Sequence, residues 1–600
     1  MFIFRIVKMK YFYFLFLFFS CEQVLLAQSD TTRKKLPGVI KEKAINEIIR
    51  KPPVEGQNIA RSEDAYMPFE GKIVRNIYIN HIGFEKSIYD SSKYFKNLAT
   101  KVANALHTNT REEIIRHNLF IKKNKPLNPY RLADNERYLR DLDFILDSKI
   151  EICDVDGTED SVDIEIYTRD VFSIGFRIDP SKFNVYEFNA YDANLFGYGQ
   201  RLQVNTLWDA RREPRTGYEF YYRKNSVAGS LINATVGYTQ INNGRSYGEE
   251  NEHALYLRLD RPLVSPYSRL AGGFELSKNY AVNDYQIVAA DFRKYNYVLE
   301  DVWVGYNMGI RNTTNNRKRH FLAARYFNQT FSTRPNQLAE QENPLYNSQR
   351  YFLTSLTFYE QNFYETNFIY GFGRTEDVPY GYKLTFTTGW ASEFGVDRMY
   401  SGASVSKDFI TPIGNIFSGT ASIGSFRNGG KNEDGFLTLS VSYFSKLYNL
   451  KGLKSRGLIE INYAQAMQNR FSPLLTLNNQ LNDFTADSLF LYRRLVLNNE
   501  NTLFTKWKLG GFRVACFANV ETALVQQDVK KNLWQDFYFG LNGGLRIRNE
   551  NVIFGTIELR AFVYPKTVPG VDVFSVRLST NVRLKYSGQF VRPPEFIRYN

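Results

Sequence analysis

The chain is predicted to be an all-β transmembrane barrel of about 16 to 20 antiparallel strands preceded by one small α+β domain, and three observations carry that prediction. Aromatic residues make up 16% of its 600 residues, with 48 Phe and 41 Tyr, while the mean hydropathy is −0.38. Rings at that frequency, in a chain too polar for a bundle of spanning helices, favour strands. From about residue 172 to 586 the apolar pattern has period two and keeps it. The third observation is at the start of the chain, where Arg5, Lys8 and Lys10 precede the apolar run from Tyr11 to Phe19, followed by small and polar residues. That order is a secretory signal, too short to span a bilayer as a helix, with cleavage between Ala27 and Gln28.

Residues 1–27 are therefore read as a signal peptide, with a lipoprotein box ending at Cys21 as the rival reading; Phe18 stands there where Leu is usual. Residues 28–70 contain Pro37, Pro52, Pro53 and Pro68 and read as a linker with one short helix around Val39 to Ile49. Residues 71–170 have a mixed pattern that predicts β-α-α-β-β. The elements are a strand at Ile73–Ile79, helices at Arg111–Phe120 and Leu132–Leu142, and strands at Lys149–Cys153 and Val162–Tyr167. The second helix has Asp134 as candidate cap and places Leu132, Tyr138, Leu139 and Leu142 on one face, to pack on a small sheet. Residues 84–110 read as a partly helical insertion.

Residues 171–600 form the barrel. In Leu231–Thr239, Ile232, Ala234, Val236 and Tyr238 oppose Asn233, Thr235, Gly237 and Thr239. In Phe436–Phe444, Leu437, Leu439, Val441 and Tyr443 oppose Thr438, Ser440 and Ser442. In Ser575–Tyr586, Val576, Leu578, Val582 and Leu584 oppose Arg577, Ser579, Asn581, Arg583 and Lys585. Basic side chains are costly against lipid, so the polar faces must line a wet interior and the apolar faces point outward. Turn-forming stretches such as Asn242–Gly244 and Asn428–Asp434 separate the strands. Unpaired edges are not tolerated in a bilayer, so the sheet must close.

The net charge of +14 fits nucleic acid, an anionic membrane surface or a basic lumen; export removes nucleic acid from the partners. Cys21, Cys153 and Cys516 are far apart, and His81, His107, His117, His253 and His320 make no ligand spacing, so neither a disulfide framework nor a metal site is expected. No nucleophile elbow or phosphate loop is present. The lone GxG at Gly197–Gly199 reads as a turn, and Glu376–Asp377 as a loop or strand-edge feature rather than an acid/base pair. No enzyme activity and no cofactor are expected.

Particular strings carry a family resemblance. RLADNERYLRDLDFILDSKIEI (Arg131–Ile152) with VDIEIYTRD (Val162–Asp170) resembles the last POTRA module of the BamA/TamA and bacterial surface-antigen superfamily. NLFGYGQRLQV (Asn194–Val204) is similar to that family's turn after the second barrel strand, and RRLVLNNENTLFT (Arg493–Thr505) to the strand after its long sixth extracellular loop. The resemblance implies a short member: one POTRA-like periplasmic domain ahead of an outer-membrane barrel of a Gram-negative bacterium. The family carries an Arg-Gly-aromatic tip in that loop, held by acidic residues of the wall. Here the matching stretch is Leu481, Asn482, Asp483 and Phe484, so the Arg-Gly pair is missing; Arg456 and Gly457 lie at a strand start and do not replace it. Of the wall acids, Glu500 is the candidate partner, and Asp483 facing it would set two acids in repulsion.

The implied function is assistance to insertion or translocation of client proteins. Implied partners are outer-membrane lipids, unfolded or extended clients and accessory periplasmic lipoproteins. The alternative is a passive channel or scaffold barrel that kept the fold and lost the assembly activity.

Overall fold

The computed structural model describes residues 62–82, 86–87, 90–94, 108–182, 184–245, 250–309, 317–335, 344–472, 474–478, 480–484, 486, 489–509, 512–528, 530, 534, 536–550, 555–569, 571–582 and 591–597. The signal peptide, Cys21 and most of the linker lie outside the described residues.

The N-terminal module is built on three strands, β1 (Ile73–Ile82), β4 (Ile145–Val155) and β5 (Thr158–Asp170), in the order β1-β5-β4. β1 and β5 run parallel, β4 and β5 antiparallel. Among the described residues two helices, α1 (Glu112–His117) and α2 (Pro129–Asp141), lie between β1 and β4. Val74, Ile77, Ile114, Ile115, Leu132, Leu139, Ile150, Val162, Ile164 and Ile166 form the shared core. In the 84–110 insertion, β2 (Lys86–Ser87) and β3 (Asp90–Tyr94) pair antiparallel, and residues 95–107, on which the rest of the partly helical expectation falls, lie outside the described residues.

Asp134 is not the cap of α2. The helix starts earlier, at Asn128-Pro129: the Asn128 side chain accepts the Arg131 N–H at 3.0 Å, and proline takes the first turn, where its missing donor costs nothing. Nor does α2 bury a single face. Asp134, Asn135, Glu136 and Arg137 are buried like Leu132 and Leu139: Asp134 and Arg137 pack on the barrel, Glu136 accepts the Ile150 N–H of β4, and Asn135 pairs with Asn118 and Phe120 of the segment after α1.

Among the described residues the barrel is a closed ring of 21 strands, β6 to β26, arranged in chain order. It opens with β6 (Ile174–Lys182), β7 (Val185–Asp192), β8 (Gln200–Asp209), β9 (Thr216–Lys224) and β10 (Asn233–Asn243). The ring closes between β26 (Phe574–Val582) and β6. The short β20 (Tyr448–Leu450) pairs with β21 (Leu453–Met467), as does β19 (Lys431–Phe444), so β20 prolongs β19 past a break and the ring has twenty staves among the described residues. The last part of the expected Ser575–Tyr586 strand falls outside the described residues. Of Asn428–Asp434 only Gly429 and Gly430 are turn, with φ of +54° and +84°, the double left-handed conformation that a two-residue hairpin needs; Lys431–Asp434 already belongs to β19. Likewise Asn242 and Asn243 end β10, and the turn begins at Gly244.

Polarity is inverted relative to a soluble protein. On β8, Arg201, Asn205 and Asp209 are buried while Leu202 and Trp208 are exposed; on β10, Thr239 is buried and Val236 exposed. Leu439, Val441, Val576 and Leu578 are exposed, as the alternation requires of an outward apolar face. The buried polar set includes Arg201, Arg398, Arg494, Arg546 and Arg560 beside acids such as Asp209, Asp434, Glu521 and Glu558, so the inner face of the wall carries charges of both signs. Among the described residues no helix is long and apolar enough to cross a membrane.

The module is clamped to one rim of the barrel. Arg140 of α2 donates to Asp377 at 3.0 and 2.8 Å, to Glu136 at 2.6 Å and to Glu365 at 3.3 Å. Burial works against its charge, but Asp377 and Glu136 outweigh it and hold the guanidinium well above its ordinary pKa. Asp134 receives Arg317 at 2.8 Å and also the Ser265 hydroxyl. Tyr130 stacks on Tyr267 with centroids 6.2 Å apart, and Arg137 donates to the Val264 carbonyl at 2.7 Å. The Gly197–Gly199 turn is the third clamp: φ is +75° at Gly197, and a Cβ there would lie 2.4 Å from the Asn109 carbonyl oxygen, so only glycine lets the two backbones meet. Glu376 likewise serves structure, accepting the N–H groups of Ile369, Tyr370 and Gly371 at 2.8, 3.0 and 2.9 Å to hold the β15–β16 turn, between β15 (Gln349–Thr366) and β16 (Glu376–Glu393).

Candidate functional site: the lumenal loop and the last strand

The connection between β21 and β22 (Arg493–Leu509) is the longest on the rim away from the module, and it folds inward. By strand order it is the eighth connection on that rim, so staves precede it beyond those that the sixth position implies. Its entry is fixed by Asp434, which accepts the N–H groups of Arg470, Phe471 and Ser472 at 2.7, 3.0 and 3.0 Å. Arg398 braces that carboxylate at 2.5 Å and Glu393 at 2.6 Å, with its guanidinium between the rings of Phe426 and Phe471. Leu475 and Leu491 exchange backbone hydrogen bonds at 2.9 and 2.8 Å and close the neck. Beyond it Leu475, Leu477, Leu481, Phe484, Ala486 and Leu489 bury themselves against Phe436, Val496, Ala523, Val525, Tyr538 and Phe562 of the wall.

The four predicted tip residues separate into two kinds. Leu481 and Phe484 are packing groups; Phe484 meets Tyr538 and Tyr564 edge-on at centroid distances of 5.4 and 5.2 Å. Asn482 and Asp483 make the polar contacts. The Asn482 backbone N–H donates to Glu521 at 2.9 Å and its side-chain amide donates to the same carboxylate. Glu521, on β23 (Phe512–Gln526), is fully buried and also accepts from Asn519 at 2.9 Å, Asn542 at 2.7 Å and the Tyr564 hydroxyl at 2.8 Å. Asp483, at φ +62°, a left-handed conformation that Asp tolerates, turns the other way and pairs with Arg577 and with the Ser575 hydroxyl at 2.5 Å, both on β26.

Glu500 is therefore not the partner of the tip. Its carboxylate receives Arg546 at 2.9 Å and Arg560 at 3.4 Å, and Glu558 shares both guanidiniums at 2.7 and 2.8 Å. The expected repulsion between Asp483 and Glu500 does not arise, because each acid has its own cation. Glu500, Asn482, Arg456, Arg546 and Arg560 line one lumenal cavity of ≈ 240 Å³, so these residues are neighbours across a polar space. Arg456 is a buried wall residue of β21.

Sequence reasoning missed Glu521, Arg398, Asp434 and Tyr564. Glu521 carried a signal: it shares one face with Ala515, Phe517, Ala523 and Val525, and an acid on so apolar a face must meet donors. Arg577 was placed on the polar face of the last strand, but nothing in the sequence linked it to Asp483.

The fold and this site define a closed, up-and-down barrel of inverted polarity with an inward-folded loop fastened to its last stave. No protein-family model and no curated protein matches the chain. Among solved structures it is similar to BamA from Haemophilus ducreyi lacking POTRA domains 1–3, at 11% identity and a TM-score of 0.33, covering 84% of this chain and 85% of that one. It is also similar to CdiB from Acinetobacter baumannii (11%, TM-score 0.36, 90% and 80%) and to CdiB from Escherichia coli (9%, 0.35, 90% and 94%). At these values the fold rests on the chain's own strand order.

Proposed function

We propose that this protein is an outer-membrane barrel that assists insertion or translocation of client proteins, without covalent chemistry, and that residues 71–170 act as its POTRA-like periplasmic module. The observation that carries the reading is the loop tip: Asp483 grips Arg577 and Ser575 on β26, the stave at which the ring closes on β6. A loop fastened there couples its own position to the junction that would open for a client, and side-chain contacts of this kind are weak enough to be broken and remade. The strings that resemble the BamA/TamA superfamily support the same reading. An exposed edge of the module sheet would add extended client segments by β-augmentation.

The passive-channel reading is disfavoured because the loop fills one side of the lumen with apolar side chains. The test is inducible depletion followed by quantitative profiling of the other outer-membrane barrels and exported surface proteins. A fall in those proteins before viability is lost supports the proposal. An unchanged profile with altered permeability or a change in one partner alone refutes it.

A further inference from the structure

Residues 591–597 follow the last stave, yet they sit on the opposite half of the wall. Val591 packs with Ala271, Phe321, Ala323 and Tyr359, on staves from β12 (Leu270–Val282) to β15. The Phe596 ring meets Tyr351, Tyr400 and Phe426 at centroid distances of 4.7, 4.8 and 4.9 Å, on β15, β17 (Val396–Ile410) and β18 (Ile416–Asn428). These wall residues are buried in a one-sheet ring, so they face the lumen. Polar contacts set the register of the segment: Arg325, held by Asp301 at 2.9 and 2.7 Å, donates to the Pro594 carbonyl at 3.1 Å, and the Ile597 N–H donates to the Tyr400 hydroxyl at 2.6 Å.

The wall is recessed where the segment ends. Gly402 and Gly424 oppose one another across β17 and β18, next to the Tyr400–Phe426 pair. A Cβ on Gly402 would come 3.0 Å from Ile597 Cδ1, and one on Gly424 would come 3.2 Å from Ile597 Cβ and 2.3 Å from the Tyr400 hydroxyl. Two facing glycines on the inner face, with an aromatic pair beside them, make a notch that Ile597 occupies. Ile597 also packs against the apolar cluster of the inward-folded loop. Loop and segment thus line opposite halves of the wall and meet at this residue.

We propose that the lumen carries a built binding site for an extended Pro-x-Phe-Ile segment, that its occupant is the chain's own residues 591–597, and that the seated segment, abutting the loop, seals the barrel against solutes. The inference does not depend on the client-insertion reading, since it concerns only whether the lumen conducts.

The test uses the full chain in planar bilayers, with folding of every variant checked by heat-modifiable gel mobility. Phe596→Ala, Gly424→Val and a chain ending after Ser587 should each raise conductance several-fold over the parent. A second arm joins the segment to its notch: Gly424→Cys with Ile597→Cys, after replacing Cys21, Cys153 and Cys516 by Ser, places two Cβ atoms 3.2 Å apart, just short of the roughly 3.5–4.5 Å of a disulfide. Oxidation should form the cross-link and suppress transient openings, and reductant should restore them. Failure of the cross-link in the folded barrel overturns the assignment of the site. A cross-link that forms while the oxidised, reduced and Phe596→Ala proteins all conduct like the parent overturns the seal.

Discussion

Replacing Glu521 by glutamine tests whether one buried carboxylate holds the loop in the lumen. The side chain keeps its shape and loses its charge. Oε1 accepts three amide bonds, from Asn482, Asn519 and Asn542, while Oε2 accepts the Asn482 N–H and the Tyr564 hydroxyl. Glutamine keeps most bonds by placing its oxygen at the first position and its NH2 at the second. Tyr564 can then turn its hydroxyl to accept, because the Asn482 carbonyl is already within its reach as an acceptor. The Asn482 N–H cannot adapt and is left facing another donor, at about 1–3 kcal/mol for a buried unsatisfied group. The three amide bonds fall from charged to neutral strength, roughly 1 kcal/mol each. Asn519 and Asn542 belong to the wall with Glu521 and lose the same amount whether the loop is docked or released, so only the two Asn482 bonds count: docking weakens by about 2–4 kcal/mol, and the docking constant falls by roughly one and a half to three orders of magnitude. The assay is thiol labelling of a cysteine placed at Phe484, in the chain freed of its native cysteines, in intact cells: the tip is protected when docked and reactive when released. Labelling of the glutamine variant at the parental rate, with unchanged urea stability, would refute the argument that Glu521 is the anchor.

Three further outcomes follow from the same contacts. Asp483→Arg or Arg577→Asp alone should raise loop labelling and the double exchange should restore protection, with coupling of about 1 kcal/mol, small because Arg577 is half exposed; independent effects in the cycle would remove the ion pair from the account. Arg140→Leu leaves Asp377, Glu136 and Glu365 without their shared cation and should destabilise docking of the module by about 3–5 kcal/mol, read as new protease cleavage between module and barrel; unchanged resistance would count against the clamp. Asp163 receives Arg75 and the Asn76 N–H, and the Arg75 bond chiefly holds its carboxyl below the ordinary value. A depressed folded pKa means that its stabilisation is complete above the unfolded value of about 3.9 and is lost as pH falls through the folded value. The Tm gap between the parent and Asp163→Asn should therefore be constant at neutral pH and close below about pH 4; a gap independent of pH would contradict the linkage.

Much of the architecture was legible because alternation is a local code. A strand needs only its own residues to declare two faces, and Arg577, Ser579 and Asn581 against Val576 and Leu578 state which face is wet. The β-α-α-β-β order of residues 73–170 was readable for the same reason. Helix boundaries were less so. Asp134 looked like a cap because a buried acid in a helix interior makes sense only with Arg317, which lies 183 residues away.

What the chain by itself determined is the strand period, the inverted polarity and the small mixed domain. These depend on neighbours within a few residues. Only the tertiary structure decided that Asn482 meets Glu521 rather than Glu500, that Asp483 reaches Arg577 across 94 residues, and that Ile597 returns to Tyr400 across 197. Several lumenal acids and cations are chemically interchangeable as partners. Closure of the ring fixes which of them face one another, and no local pattern records the order in which a closed wall brings its staves around.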